Sequence, residues 1–256
     1  MTLKDQLASG EPQYGLWMGL ANPYSAEICA GSGADWVLID GEHAPNTLTT
    51  VLGQVQSARG VVEVVARTPD RDPTPIKQYL DLGVRNLLVP GVETSQHAAE
   101  VVAATRYPPA GNRGVASTLN RAAGFGRHTD YLRTAHESIC LFVQIESAAG
   151  LESVKEIAQV QGIDGVFVGT GDLAASLGHL GNPRHPQVRE ALGHVLETVQ
   201  GVGGHFGLYA SSPADSREWA MKGAALVAVG SDVGVLQRGT RQLFQQVRGD
   251  AIRTGW

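Results

Sequence analysis

The sequence predicts an α/β chain folded as a single-domain (β/α)₈ barrel. Short apolar runs recur eight times and alternate with stretches of helical spacing from end to end. Eight such units in 256 residues match the size of this barrel. No composition shift or Pro/Ser linker divides the chain, so residues 1–256 read as one domain. A doubly wound open sheet is the competing architecture, but no glycine fingerprint follows the first strand.

The strands read in order as Tyr14–Leu20, Asp35–Ile39, Val62–Arg67, Asn86–Val89, Ile139–Glu146, Gly165–Gly169, Phe206–Ala210 and Leu226–Gly230. Each is a continuous apolar run, as expected of a parallel sheet buried on both faces. The segments between them carry helical periodicity. Ile76, Tyr79 and Leu80 share one face of the stretch after the third strand. Gly33, Gly60, Gly83, Gly162 and Gly223 read as helix stops. The stretch Arg106–Arg133 exceeds an ordinary loop, and its Pro108-Pro109-Ala110-Gly111 reads as a rigid surface excursion.

Composition narrows the partners. The net charge is −5 with both signs interspersed and no basic stripe, which argues against nucleic acid. Met1-Thr2-Leu3-Lys4-Asp5 leads into no signal-type apolar region, and no run is long enough to span a membrane. Cys29 and Cys140 lack metal-type spacing and read as buried thiols, which fits the reducing cytoplasm.

Four of the strands end in chemistry. The apolar run Trp36–Ile39 runs straight into Asp40-Gly41-Glu42-His43. Val64–Ala66 ends in Arg67, and the fifth strand ends in Gln144-Ile145-Glu146. The sixth strand leads into Gly169-Thr170-Gly171-Asp172. In a parallel barrel these ends form the rim on which sites are built. Gln144 and Glu146 share a strand face, and Asp172 comes from the next strand, so the two carboxylates can converge. Two oxygen donors without a nearby thiol suit a hard cation such as Mg²⁺ or Mn²⁺. The plain alternative is that both carboxylates cap helices. His43 is the candidate base, with Asp40 as a local orienting carboxylate and Asp81 as a distant one. Arg67 can clamp a carboxylate or a developing oxyanion, or simply pair with a barrel carboxylate. Backbone N–H groups at Gly169-Thr170-Gly171 offer an anion site. None of Lys4, Lys77, Lys155 and Lys222 ends a strand, so Schiff-base chemistry has no candidate lysine.

Taken together, Gly15-Leu16-Trp17, Asp40-Gly41-Glu42-His43-Ala44-Pro45, Arg106–Gly114 and Gln144-Ile145-Glu146 resemble the HpcH/HpaI aldolase family over nearly the whole chain. The resemblance implies a class II pyruvate aldolase. Such enzymes reversibly cleave 4-hydroxy-2-oxo acids to pyruvate and an aldehyde. It implies a divalent cation (Mg²⁺, Mn²⁺ or Co²⁺) on Glu146 and Asp172. His43 would work through a bound water with Asp81 as its carboxylate partner, and Arg67 would bind the pyruvate carbonyl oxygen. Backbone N–H groups of Gly171 and Asp172 would hold the pyruvate carboxylate, with Gln144 and Trp17 close by. Tyr209, at the end of the seventh strand, would line the aldehyde side where relatives carry a smaller aliphatic residue, favouring short hydroxylated aldehydes. The resemblance further implies a homohexamer that exchanges a C-terminal helix, here Thr240–Val247. One departure is Gly169-Thr170-Gly171-Asp172, where the family usually carries a proline after the first glycine.

Three rivals stand beside this reading. A malyl- or citramalyl-type CoA-ester lyase would need a basic groove for the CoA phosphates, and the arginines form no such cluster. A phosphate-binding isomerase would need glycine-rich turns after strands seven and eight. Ala210-Ser211-Ser212 is not one, and Gly230-Ser231-Asp232 is half of one. A non-catalytic barrel that binds 2-oxo acids is the third.

Overall fold

The computed structural model describes residues 2–210 and 212–248. Eight parallel strands close into a barrel in chain order. They are β1 (Gln13–Met18), β2 (Trp36–Asp40), β3 (Glu63–Arg67), β4 (Asn86–Val89), β5 (Cys140–Ile145), β6 (Gly165–Val168), β7 (His205–Tyr209) and β8 (Leu226–Ser231). All eight expected strands are present, with no end displaced by more than two residues.

The helices return the chain along the outside. The short α1 (Leu3–Ala8) precedes β1. Then come α2 (Pro23–Ala30), α3 (Leu48–Ala58), α4 (Pro73–Asp81) and α5 (Ser95–Thr105). Between β4 and β5 lie the long excursion and the one-turn α6 (Tyr131–Thr134). The paired short helices α7 (Ala148–Glu152) and α8 (Val154–Ala158) follow β5. Then α9 (Thr170–Ser176) and α10 (Pro186–Gly201) follow β6, α11 (Pro213–Met221) follows β7, and α12 (Asp232–Arg248) follows β8. The five glycines read as helix stops all take positive φ, between 77° and 108°.

Strand alternation creates two cores. Val37, Ile39, Ala66, Leu87, Val143, Ile145, Val166 and Val168 face the helices. Trp36, Leu38, Val65, Leu88, Cys140, Phe142, Phe167, Leu226 and Ala228 fill the interior. Leu3 and Leu7 of α1 join them and plug the N-terminal mouth. No sequence signal marked this plug. The large interior rings fit because glycines face them. A Cβ on Gly15 would stand 2.1 Å from Trp36, and one on Gly165 would stand 2.3 Å from Phe142. Cys140 is buried as expected, but Cys29 is only half-buried, because its stretch of α2 turns toward the surface. The excursion is more than a surface loop. Arg113 is fully buried, its guanidinium 4.6 Å from the Tyr107 ring and paired with Asp81.

Candidate active site

The interior residues change character toward the C-terminal end of the barrel. On β2 the inward series Trp36, Leu38, Asp40 ends in a carboxylate. On β3 Val65 is followed by Arg67, and on β5 Phe142 is followed by Gln144 and then Glu146. A period of two therefore delivers apolar side chains to the barrel floor and polar ones to its mouth.

Asp40 and Arg67 form the tightest element. Arg67 Nε donates to Asp40 Oδ1 at 2.9 Å and Nη2 to Oδ2 at 2.6 Å. Nη1 lies 2.7 Å from Glu42 Oε2. Asp40 also accepts from Trp17 Nε1 and from the backbone N–H groups of Glu42 and His43. Burial alone would raise the Asp40 pKa. The Arg67 fork and the other donors outweigh it and hold the carboxyl below its usual range. This corrects the expectation that Asp40 orients the His43 ring. Its oxygens are taken, and it meets His43 only through the backbone. Gly41 is required in this turn, since a Cβ would stand 2.1 Å from Tyr79 Oη and 2.6 Å from the Arg67 carbonyl.

The His43 side chain is two-thirds exposed at the mouth, and its Nε2 lies 3.9 Å from Glu42 Oε2. The carboxylate beside His43 is thus Glu42. Asp81 is not, within one chain. It ends α4, the helix that leads away from the rim, and accepts from Arg113 and Asn120. The His43–Asp81 expectation fails there because α4 carries Asp81 toward the opposite end of the barrel.

Glu146 accepts from the Gly91 N–H at 3.0 Å and from Gln144 Nε2. Burial raises its pKa, and the negative charges of Glu42 and Asp172 add to that. Glu42 is likewise raised by burial, partly offset by Arg67 and His43. Glu42, Glu146 and Asp172 therefore feel one another across the mouth. Asp172 is exposed in the first turn of α9. Gly169 makes this approach possible, because a Cβ there would stand 2.8 Å from both Gln144 Nε2 and Glu146 Oε2. Buried Gln144 Oε1 has no partner and adds a further acceptor. These acceptors suit a hard cation. Among the described residues no group of three or more His, Cys, Asp or Glu is placed to hold a metal ion. The donor set fits a cation held by two carboxylates with positions left open.

Trp17 and Tyr209 meet edge to face with centroids 5.8 Å apart, on the β1–β7 side of the mouth. At the end of β8, Asp232 accepts from the Gly19 and Leu20 N–H groups. A carboxylate thus fills the turn that a phosphate-binding isomerase would keep for its ligand. Sequence reasoning gave no role to Glu42, although its place between Asp40 and His43 was the available signal.

The comparisons with known proteins agree with this fold. Residues 13–238 match the model of the family described as HpcH/HpaI aldolase/citrate lyase. The chain belongs to the HpcH/HpaI family. A hydroxypyruvate/pyruvate aldolase of Deinococcus radiodurans is 52% identical over 94% of this chain and 88% of its own. A 4-hydroxy-2-oxo-heptane-1,7-dioate aldolase of Salmonella dublin is 47% identical over 94% of this chain and 92% of its own. A crystal structure of an HpcH/HpaI family protein from Burkholderia cenocepacia J2315 superposes with a TM-score of 0.93 at 44% identity. That match covers 96% of this chain and 99% of the other. This HpcH/HpaI member is an enzyme, a lyase of the aldolase type. No described helix is long and apolar enough to cross a membrane.

The raised carboxylates predict how a cation and pH interact. A carboxyl whose pKa is raised on folding favours its proton, so the metal-free protein loses stability as pH rises through that value. A divalent cation relieves the repulsion only when the carboxylates are ionised. Added Mg²⁺ or Mn²⁺ should therefore raise Tm most on the alkaline side of the carboxylates' raised pKa values, and the gain should shrink as pH falls through them. A metal-induced shift that is flat with pH would contradict this.

Proposed function

We propose that this chain is a divalent-metal-dependent aldolase. It would reversibly cleave 4-hydroxy-2-oxo acids to pyruvate or hydroxypyruvate and an aldehyde. The observation that carries the reading is the mouth itself. Carboxylates from three strand ends, Glu42, Glu146 and Asp172, act on one another's charge there, and Glu42 pairs with the forked Arg67. The names of the Deinococcus and Salmonella relatives support the reaction class. Citrate lyase β subunit holding oxaloacetate and magnesium, at 15% identity and a TM-score of 0.60, shares the fold only.

Glu146 and Asp172 would hold the cation. When bound, the cation would supply Lewis acidity to the 2-oxo acid. Gln144 fixes Glu146 by its Nε2 bond. Arg67 presents charge to the carbonyl oxygen on which negative charge develops as the C–C bond breaks. Asp40 and Glu42 hold the guanidinium in one plane. Backbone N–H groups of Gly171 and Asp172 would receive the substrate carboxylate. His43, exposed at the mouth beside Glu42, would accept the 4-hydroxyl proton during cleavage and return it during synthesis. The Tyr209 hydroxyl on the aldehyde side favours short hydroxylated aldehydes. Incubating pyruvate or hydroxypyruvate with a panel of aldehydes and Mn²⁺ tests the reading. Aldol products should form with both donors and fastest with short hydroxyaldehydes. No product with any aldehyde would remove it.

We also propose a homo-oligomer, a hexamer by resemblance, built by exchange of α12. The helix exposes Leu236, Leu243, Phe244 and Val247, the last 83% accessible. Meanwhile a groove of about 510 Å³ lies open between α11 and β1, lined by Pro12, Tyr14, Ala214, Arg217, Ala220 and Met221. In a closed barrel the helix after the last strand covers that seam. A second copy's α12 would cover both apolar surfaces. Light scattering should give a multiple of the 27.0 kDa chain mass, and a monomer would contradict the exchange. The chain would act in the cytoplasm with small-molecule partners.

A further inference from the structure

We propose that Trp17 is a positioning residue for Arg67, acting through Asp40. The inference rests on the aldolase reading above. An indole held inside a protein usually finds a partner for its N–H. Trp36 finds a backbone carbonyl, that of Gln13, and buried Trp219 finds none. Among the described tryptophans Trp17 alone donates to a side chain, Asp40 Oδ2 at 3.1 Å. That oxygen is the one that receives Arg67 Nη2.

The ring also meets the guanidinium directly, with Arg67 Cζ 4.9 Å from its centroid. Arg67 is therefore constrained along three directions. The Asp40 fork fixes its Nε–Nη2 edge, Glu42 fixes Nη1, and the indole supports its face. Trp17 is itself wedged by Phe167 and Tyr209, both at 5.8 Å between centroids. A guanidinium acts on a developing oxyanion through its plane, so the orientation of that plane sets the rate more than the binding. Removing the indole N–H leaves Asp40 four donors, two from Arg67 and the N–H groups of Glu42 and His43. The fold should survive, and the direction of the fork should not.

Trp17→Phe and Trp17→Leu separate the two contacts, since Phe keeps a ring face and Leu keeps neither. Exchange of the pyruvate methyl protons in D₂O with Mn²⁺ present reads the 2-oxo-acid half alone. Trp17→Phe should lower kcat for exchange about tenfold, the scale of one charge-assisted hydrogen bond, with KM within about twofold. Trp17→Leu should lose more. Combined with Arg67→Lys, Trp17→Phe should add almost nothing, because the two residues act as one unit. Phenylglyoxal modification of Arg67, followed by mass spectrometry, gives a readout independent of turnover and should be several-fold faster in Trp17→Phe. Normal exchange in Trp17→Phe, or losses that simply add, would overturn the inference. So would unchanged Arg67 reactivity. A wild type that shows no exchange but whose Arg67 is unmasked by Trp17→Phe would indict the aldolase reading instead.

Discussion

Arg67→Lys should lower kcat/KM for aldol cleavage by roughly 10²–10³, the cost of removing one preorganised oxyanion donor. Lysine keeps the charge but loses the planar fork. Arg67 is buried, and its partners are the Asp40 and Glu42 carboxylates, so a purely structural role must be weighed. The hydrogen bonds decide what that role would predict. Asp40 keeps Trp17 Nε1 and the N–H groups of Glu42 and His43 after the substitution, and a lysine ammonium still neutralises the pair. Stability should therefore fall by only about 1–2 kcal/mol, far less than for an unpaired buried charge. Steady-state kinetics and thermal melts on one preparation separate the cases. A variant with near-normal turnover and a collapsed Tm would make Arg67 a structural ion-pair residue.

His43→Ala carries the second large effect. Its ring is exposed, and its nearest charged partner is Glu42 Oε2 at 3.9 Å, so nothing buried depends on it. Tm should be unchanged, while kcat for cleavage should fall by roughly 10²–10⁴, the range for losing a general base. Metal affinity measured by calorimetry should stay at the wild-type value. Turnover close to wild type would leave His43 as a surface histidine of the rim.

The strands could be read from the sequence because burial on both faces forces an apolar run, and each run here is bounded by a turn residue or a charge. Arg67, Glu146 and Asp172 could be picked out for the same reason, being polar residues directly after such runs. What the sequence concealed was pairing. Asp40 is adjacent to the His43 segment in sequence, yet its oxygens go to Arg67, because Asp40 and Arg67 are register partners on neighbouring strands. Asp81 reads as a free carboxylate until the excursion folds back and gives it Arg113 and Asn120. Those contacts span 32 and 39 residues, and no periodicity encodes them. The α1 plug was hidden because six residues carry too little pattern, though Leu3 and Leu7 are four apart and fully inside the barrel.

The central claim is that a divalent cation on Glu146 and Asp172, together with Arg67, makes the pyruvate methyl group acidic. Proton NMR of pyruvate in D₂O tests it without knowledge of the aldehyde. With enzyme and diamagnetic Mg²⁺ the methyl signal should vanish as deuterium replaces the protons. It should persist after EDTA, return to decay when metal is restored, and persist in Glu146→Gln with metal present. Exchange that continues in EDTA, or a pyruvate adduct trapped by borohydride, would contradict the account.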